Sequence, residues 1–284
     1  MAREGDLLLA GVVVLYHPDE EIFDNIKRYR KALDILFVLD NTEEPSEYTA
    51  QFFSTFSNVQ YIAFHQNMGL SYALNYALKA ASKYTYLLTM DQDSYFSEEM
   101  LAKYKLYITQ CENDPFFSDI AMYSVHYSGL KVKSNENKRY VISAITSGSI
   151  LNVRIAKTLG GFDENLFIDE VDDEFCYRAK DAGYKVLFFG DVELIHHLGN
   201  PRQYSFFKYQ FTVLNHGPIR KYYIVRNRLY VAKKFPWIKR YYMKSILKML
   251  VKIILFEKNK GKKIKYIMRG IADYKNKRMG KYKE

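Results

Sequence analysis

Four short apolar runs in the first ninety residues, 7–16, 35–39, 59–64 and 86–90, constrain what this chain can fold into. Polar residues end each run, and between the runs lie stretches with helical spacing, such as 20–31 with Ile22, Phe23, Ile26 and Tyr29 on one side. Runs of this length, apolar but for Gln60 and Thr89, read as buried strands. Strands alternating with helices over short connections predict a parallel sheet with helices on both sides. In such a sheet the carboxyl ends of the strands share one edge, where open α/β sheets bind ligands. The residues that follow the runs are therefore the first candidates for function: His17 after the first, Asp40-Asn41-Thr42 after the second, Gln66-Asn67-Met68-Gly69 after the third, and Asp91-Gln92-Asp93-Ser94 after the fourth.

The predicted fold class is α/β, Rossmann-like and mainly parallel, by right-handed crossover. No G-x-G-x-x-G follows the first run, which disfavours a dehydrogenase, and no P-loop sequence occurs. Two carboxylates one residue apart at a strand exit can hold a hard divalent cation, whose other side commonly faces phosphates. The competing account of Asp91 to Ser94 is a helix N-cap. Further along, 100–111 reads as a helix and 120–125 as a fifth strand. The polar stretch 131–139 reads as a loop, with strands at 140–145 and 149–153 around Thr146-Ser147-Gly148. Five acids within 169–174 lead into a helix stopped by Gly183, and strands at 184–189 and 192–195 end at His196-His197-Leu198-Gly199.

With 284 residues the chain can bury a large core. Its two cysteines, Cys111 and Cys176, have no metal-type spacing and suit a reducing compartment. The first residues do not read as a secretory signal peptide. Charge is strongly divided: from residue 203 onward there are 23 Lys or Arg against 3 acids, whereas the preceding part is net acidic. That contrast predicts an acidic body over 1–215 and a basic helical region over 216–284, with separate jobs.

In order, Val14-Leu15-Tyr16-His17-Pro18, Leu39-Asp40-Asn41-Thr42, Asn67-Met68-Gly69 with Ala73-Leu74-Asn75, and Met90-Asp91-Gln92-Asp93-Ser94 form one series. It continues through Thr146-Ser147-Gly148-Ser149, Gly161-Phe162-Asp163-Glu164, the acidic run into Phe175, His196-His197-Leu198-Gly199 and Tyr222-Tyr223-Ile224-Val225-Arg226-Asn227. The series, spanning about residues 7–230, resembles family-2, GT-A-type glycosyltransferases, and among them the bacterial rhamnosyltransferases of polysaccharide synthesis. Leu15 stands where that family commonly has Thr, and His17 where it commonly has Asn.

The resemblance implies a divalent metal, Mg2+ or Mn2+, on Asp93 and on a histidine, His196 or alternatively His197. It implies that Asp91 meets the ribose or supports the metal, and that Asp172 is the general base. His17, Asp40, Asn67, Ser147, Gly148, Arg226 and Asn227 join Asp91 as nucleotide-sugar contacts. Several have a structural alternative: a turn at Asp40, a helix entry at Asn67, a tight turn at Ser147-Gly148, a solvated charge at Arg226. For the acidic run the alternative is a negative first turn that suits the helix dipole.

From residue 222 onward the sequence is helical. Lys244, Lys248 and Lys252 interrupt every apolar stretch, so none reaches the length needed to span a bilayer. Lysines among aliphatic residues suit an amphipathic helix at an anionic membrane surface, or one that packs on the body or in a homodimer. No nucleic-acid motif accompanies the basic region. The expected activity is transfer of L-rhamnose from dTDP-β-L-rhamnose, with inversion, to a lipid-linked saccharide. The expected place is the cytoplasmic face of the cell membrane, as a peripheral protein. UDP-galactofuranose or a UDP-hexose is the alternative donor, and a non-catalytic nucleotide- or glycan-binding module is the alternative class.

Overall fold

The computed structural model describes residues 7–117, 119–128, 137–196, 202–206, 209–213 and 216–283. The first half alternates as expected: β1 (Leu9–Leu15), α1 (Glu20–Arg30), β2 (Ile35–Asp40), α2 (Glu47–Ser54), β3 (Val59–Ala63), α3 (Leu70–Ala80) and β4 (Tyr86–Asp91). There follow the short β5 (Ser94–Tyr95), α4 (Glu98–Glu112), β6 (Ile120–Tyr127), β7 (Lys138–Val141), β8 (Ser149–Asn152), α5 (Val153–Thr158), α6 (Val171–Asp181) and β9 (Lys185–His196). A hairpin, β10 (Arg202–Phe206) and β11 (Tyr209–Val213), precedes the C-terminal helices α7 (Pro218–Lys234), α8 (Lys239–Phe256) and α9 (Lys260–Lys275). By packing, the chain divides into two compact units: residues 1–163 with 172–197, and residues 164–171 with 198–284.

In the first unit the strands run in the order β3-β2-β1-β4-β8-β6-β9-β5, with β7 also paired to β9. β3, β2, β1 and β4 are parallel, whereas β8 is antiparallel to both β4 and β6. The sheet is thus mixed, with its first four strands parallel as expected. Between β6 and β8 the described residues hold only β7 and no helix, so β8 returns antiparallel to β6 and pairs β4 in the same sense. The two strands expected at 184–189 and 192–195 are one, β9, whose pairing with β6 shifts register between Val125 and His126. Such an irregularity lets a strand continue through a polar interruption.

Local signals explain the helix starts. Asp19 caps α1 by accepting from the Ile22 amide, with Glu20 and Glu21 in the first turn and Lys27, Arg28 and Arg30 in the last. Ser97 caps α4 in the same way through the Met100 amide. β1 is buried along both faces: Leu9, Val13 and Leu15 meet a core shared with Ile22, Ile26, Leu101, Tyr104 and Ile108, while α3 packs against β1 as well. A smaller cluster joins Ala121 of β6, Ile155 of α5 and Ala179 of α6. In the second unit Ile224 and Val225 of α7, Met249 and Ile253 of α8 and Ile267 of α9 form a separate core. Gly270 is a close approach: a Cβ there would lie 2.7 Å from the Tyr222 carbonyl oxygen. Among the described residues no helix is long and apolar enough to cross a membrane.

Candidate active site

β1 is flanked by β2 and β4, so the order reverses beside it, and the carboxyl ends there mark the crevice of an open α/β sheet. Register places Leu15 beside Asp40 and Val14 beside Asp91. The loops leaving these strands are bonded to one another. The Tyr16 amide donates to Gln92 Oε1 at 2.8 Å, the His17 amide to Thr42 Oγ1 at 2.9 Å, and the Asn41 amide to the Leu15 carbonyl at 2.8 Å. Asn41 in turn accepts from the Met68 amide and donates to the Gly69 carbonyl, tying the second strand exit to the third. Asn67 accepts from the Gly69 amide at 3.0 Å, within the entry to α3. His17 is exposed, takes a left-handed backbone conformation (φ 47°) and lies 3.5 Å from Glu43.

Asp40 is fully buried. Its carboxylate accepts from the Thr42 amide and from the Tyr61 hydroxyl, each at 2.8 Å. The carboxylate holds its own loop and the β3 tyrosine, and burial together with this bond raises the Tyr61 phenol above its ordinary range.

A second set gathers at the exit of β4. The Asp91 amide donates to Ser147 Oγ (3.2 Å), Ser147 Oγ is 3.1 Å from Ser94 Oγ, and Ser94 Oγ is 3.4 Å from Asp93 Oδ1. The loop bearing Ser147 is pinned from beneath, since Thr89 Oγ1 donates to the Thr146 carbonyl and the Gly148 amide donates to the Thr89 carbonyl. Gly148 has φ 71°, and a Cβ there would meet Leu194 at 2.7 Å; the position requires glycine on both counts. Tyr127, at the end of β6, donates its hydroxyl to the Ser147 carbonyl at 2.7 Å. Burial pushes its phenol well above the usual range, and the negative charges of Asp91 and Asp172 push it further. Asp91, Ser147, Tyr127 and Asp172 thus share one electrostatic neighbourhood. Sequence reasoning missed Tyr127, because the expected strand 120–125 stopped two residues short of it.

The acids around residue 170 have different employments. Glu174 is buried and receives two bonds from Arg178, which also donates to the Leu159 and Gly161 carbonyls. The neighbouring loop is fixed from α3, where Asn75 accepts from the Phe162 amide and donates to the Phe162 carbonyl. Asp172 and Asp173 occupy the first turn of α6.

In the second unit, Asp169 and Glu170 lie 2.7 Å from Arg220 and Arg228 respectively. Both have left-handed backbone conformations, φ 65° and 64°, which cost non-glycine residues energy. Asn227 holds this turn by donating to the Ile168 and Asp169 carbonyls at 2.7 and 3.1 Å. Arg226 is fully buried and donates to the Tyr222 hydroxyl, Asn227 Oδ1 and the Gly280 carbonyl. The expectation made Arg226 and Asn227 contacts of a nucleotide sugar; here their polar atoms are occupied with the backbone and side chains of their own unit.

As for a metal, the described backbone brings two expected donors near one another, because β5 pairs with β9 so that Ser94, next to Asp93, faces His196. The side chain of His196 and all of His197 lie outside the described residues. Among the described residues no group of three or more His, Cys, Asp or Glu forms a cation site. A carboxylate oxygen completed by phosphate oxygens and water suits Mg2+ or Mn2+, and an imidazole nitrogen in the set favours Mn2+.

This sheet, its switch point and its acidic strand exit are the GT-A class of glycosyltransferase fold. The comparisons with known proteins agree: residues 20–148 match the model of glycosyl transferase family 2. The chain is 30% identical over 187 residues to the dTDP-rhamnosyl transferase RfbF of Shigella flexneri, a stretch covering 61% of this chain and 60% of that protein. It thus spans about 60% of the length of this curated relative. Among solved structures, GalNAc-T7 with UDP, GalNAc and Mn2+ superposes with a TM-score of 0.60 at 13% identity, over 80% of this chain and 48% of that one. S. aureus TarS 1-349 in complex with UDP-GlcNAc gives 0.58 at 15% identity, over 94% and 80%. At such identities the likeness establishes the fold.

Proposed function

We propose that this protein is a divalent-metal-dependent, inverting glycosyltransferase. It transfers L-rhamnose from dTDP-β-L-rhamnose to a lipid-linked saccharide of surface polysaccharide, working at the cytoplasmic face of the membrane. The single observation that carries the reading is the bonded chain Asp91–Ser147–Ser94–Asp93 at the switch point, with Tyr127 reporting the charges of both Asp91 and Asp172. The donor assignment rests on the rhamnosyl transferase relative.

In this reading the acceptor hydroxyl oxygen attacks the anomeric carbon as the carbon–oxygen bond to the diphosphate breaks. The bonding pair leaves with the diphosphate oxygen, and one displacement inverts the carbon. Asp172 takes the hydroxyl proton, the part of a general base. Glu174 is unsuited to it, being buried against Arg178. Asp93, with His196, would hold the cation, which supplies positive charge to the departing diphosphate. Asp91 meets the nucleoside side, with His17, Asn67, Ser147 and Gly148 around it. Asp40 holds its own loop and Tyr61 beside these groups.

A panel of dTDP- and UDP-sugars, assayed for nucleotide release with added Mn2+ or Mg2+, tests the proposal. dTDP-rhamnose should be turned over in preference to UDP-galactofuranose and UDP-hexoses. Preference for a UDP-sugar would replace the donor and keep the chemistry; no turnover of any donor would return the chain to a binding role.

A further inference from the structure

The C-terminal unit carries two apolar surfaces where its own core needs one. α8 turns Tyr242, Met249 and Ile253 inward, the latter two against α7 and α9. Leu247, Val251, Ile254 and Leu255 are nevertheless 63%, 46%, 52% and 59% exposed. Their spacing of four, three and one places them on a single face of the helix. A monomer gains nothing from an aliphatic strip held in water, and such a strip marks a contact surface.

Charge identifies what it contacts. α8 contains Lys239, Arg240, Lys244, Lys248 and Lys252 and no acid. Between residues 218 and 283 the only acids are Glu257 and Asp273. Glu257 is buried between Lys221 and Lys263, at 2.8 and 2.6 Å. Asp273 holds Arg278 at 2.9 Å and accepts the Tyr222 hydroxyl. The acids are therefore engaged within the unit, and the cations of α8 border the aliphatic strip. A second copy would set this positive face against itself. A nucleic acid would use the lysines but find no partner for four aliphatic side chains.

We propose that the outward face of α8 is a bilayer contact. In it, Leu247, Val251, Ile254 and Leu255 enter the headgroup boundary of an anionic membrane, and Arg240, Lys244 and Lys248 meet lipid phosphates. The inference rests on the reading of the acceptor as lipid-linked, and it names the surface that brings the enzyme to it.

The test is flotation of the full-length protein with vesicles of phosphatidylcholine, alone or mixed equally with phosphatidylglycerol. Point substitutions are preferable to truncation, because Ile253 and Ile267 belong to the unit's core. Wild type should float with the mixed vesicles. Leu247→Ser with Leu255→Ser should weaken that binding by at least about tenfold, from the aliphatic area withdrawn, with an unchanged thermal melt. Lys244→Gln with Lys248→Gln should weaken it and remove part of its salt sensitivity. Undiminished binding of the leucine variant overturns the proposal. So does a wild type that ignores vesicles while forming a dimer that those substitutions dissolve, or that binds only duplex DNA. Nucleotide release with a water-soluble acceptor, measured in parallel, keeps the two readings apart. Turnover retained without flotation counts against the surface alone; flotation without turnover counts against glycosyl transfer alone.

Discussion

Tyr127→Phe removes one oxygen from the candidate site and isolates the bond that holds the Ser147 loop. The phenol is protonated at every working pH, since burial and then the charges of Asp91 and Asp172 oppose its ionisation. Its hydroxyl is therefore a constant donor to the Ser147 carbonyl, 2.7 Å away. Deleting a partner of a buried carbonyl costs about 1–3 kcal/mol. For a unit of this size each kcal/mol lowers Tm by about 2–4 °C, so the variant should melt roughly 2–12 °C lower. The catalytic effect follows from what Ser147 touches: its hydroxyl accepts from the Asp91 amide and reaches Ser94, which reaches Asp93. A shift of a fraction of an ångström in that chain should lower kcat/KM by about 10- to 100-fold. The fall should lie mainly in kcat, with the shape of the pH profile unchanged because no titrating group has been removed. Differential scanning fluorimetry and steady-state nucleotide release measure both. An unchanged melt, or a lowered melt with an unaltered kcat/KM, would refute the positioning argument.

Asp172→Asn should leave donor binding by calorimetry intact while transfer falls by about 10²- to 10⁴-fold; equal transfer would pass the base role to Asp173. Asp93→Ala should lose Mn2+-stimulated nucleotide release by at least about 10²-fold, and full stimulation would refute its place at the cation. Glu257→Gln strands two buried lysines and should cost about 3–5 kcal/mol in urea denaturation. Burial alone would raise the Glu257 carboxyl, but Lys221 and Lys263 reverse this and lower it. His216 has its imidazole lowered to about 4 by burial and then by Arg220 and Lys221. The unfolded chain thus binds the extra proton first, and stability should decline as pH falls from about 6.5 towards 4. His216→Gln should flatten that decline in pH-dependent melts.

The parts legible in the sequence were those set by local pattern. Leu9 to Leu15 and Tyr86 to Asp91 are apolar strands with polar exits, and Asp19, Ser97 and Gly69 mark helix starts. The strand exits converge because parallel strands leave them no alternative. What local pattern could not convey was the direction of β8, which depends on whether the chain turns or crosses over. The continuity of β9 was equally hidden, because Gly190 and Asp191 read as a break and pairing carries the strand through them.

Residue roles divide along the same line. Asp40 and Arg226 are charged groups beside a catalytic motif, and in sequence such groups suggest ligand contact. Long-range partners, invisible in local pattern, engage both: Tyr61 lies 21 residues from Asp40, and the Gly280 carbonyl 54 residues from Arg226. A buried charge must be met within the protein, and each of these is. On α8 the sequence left open whether the aliphatic residues pack on the body or face outward, and the fold leaves Leu247 and Leu255 exposed. Apolar periodicity tells that a face will be covered; only packing tells that the chain does not cover it itself. On a helix with five cations and no acid, the cover we propose is an anionic, apolar-cored surface.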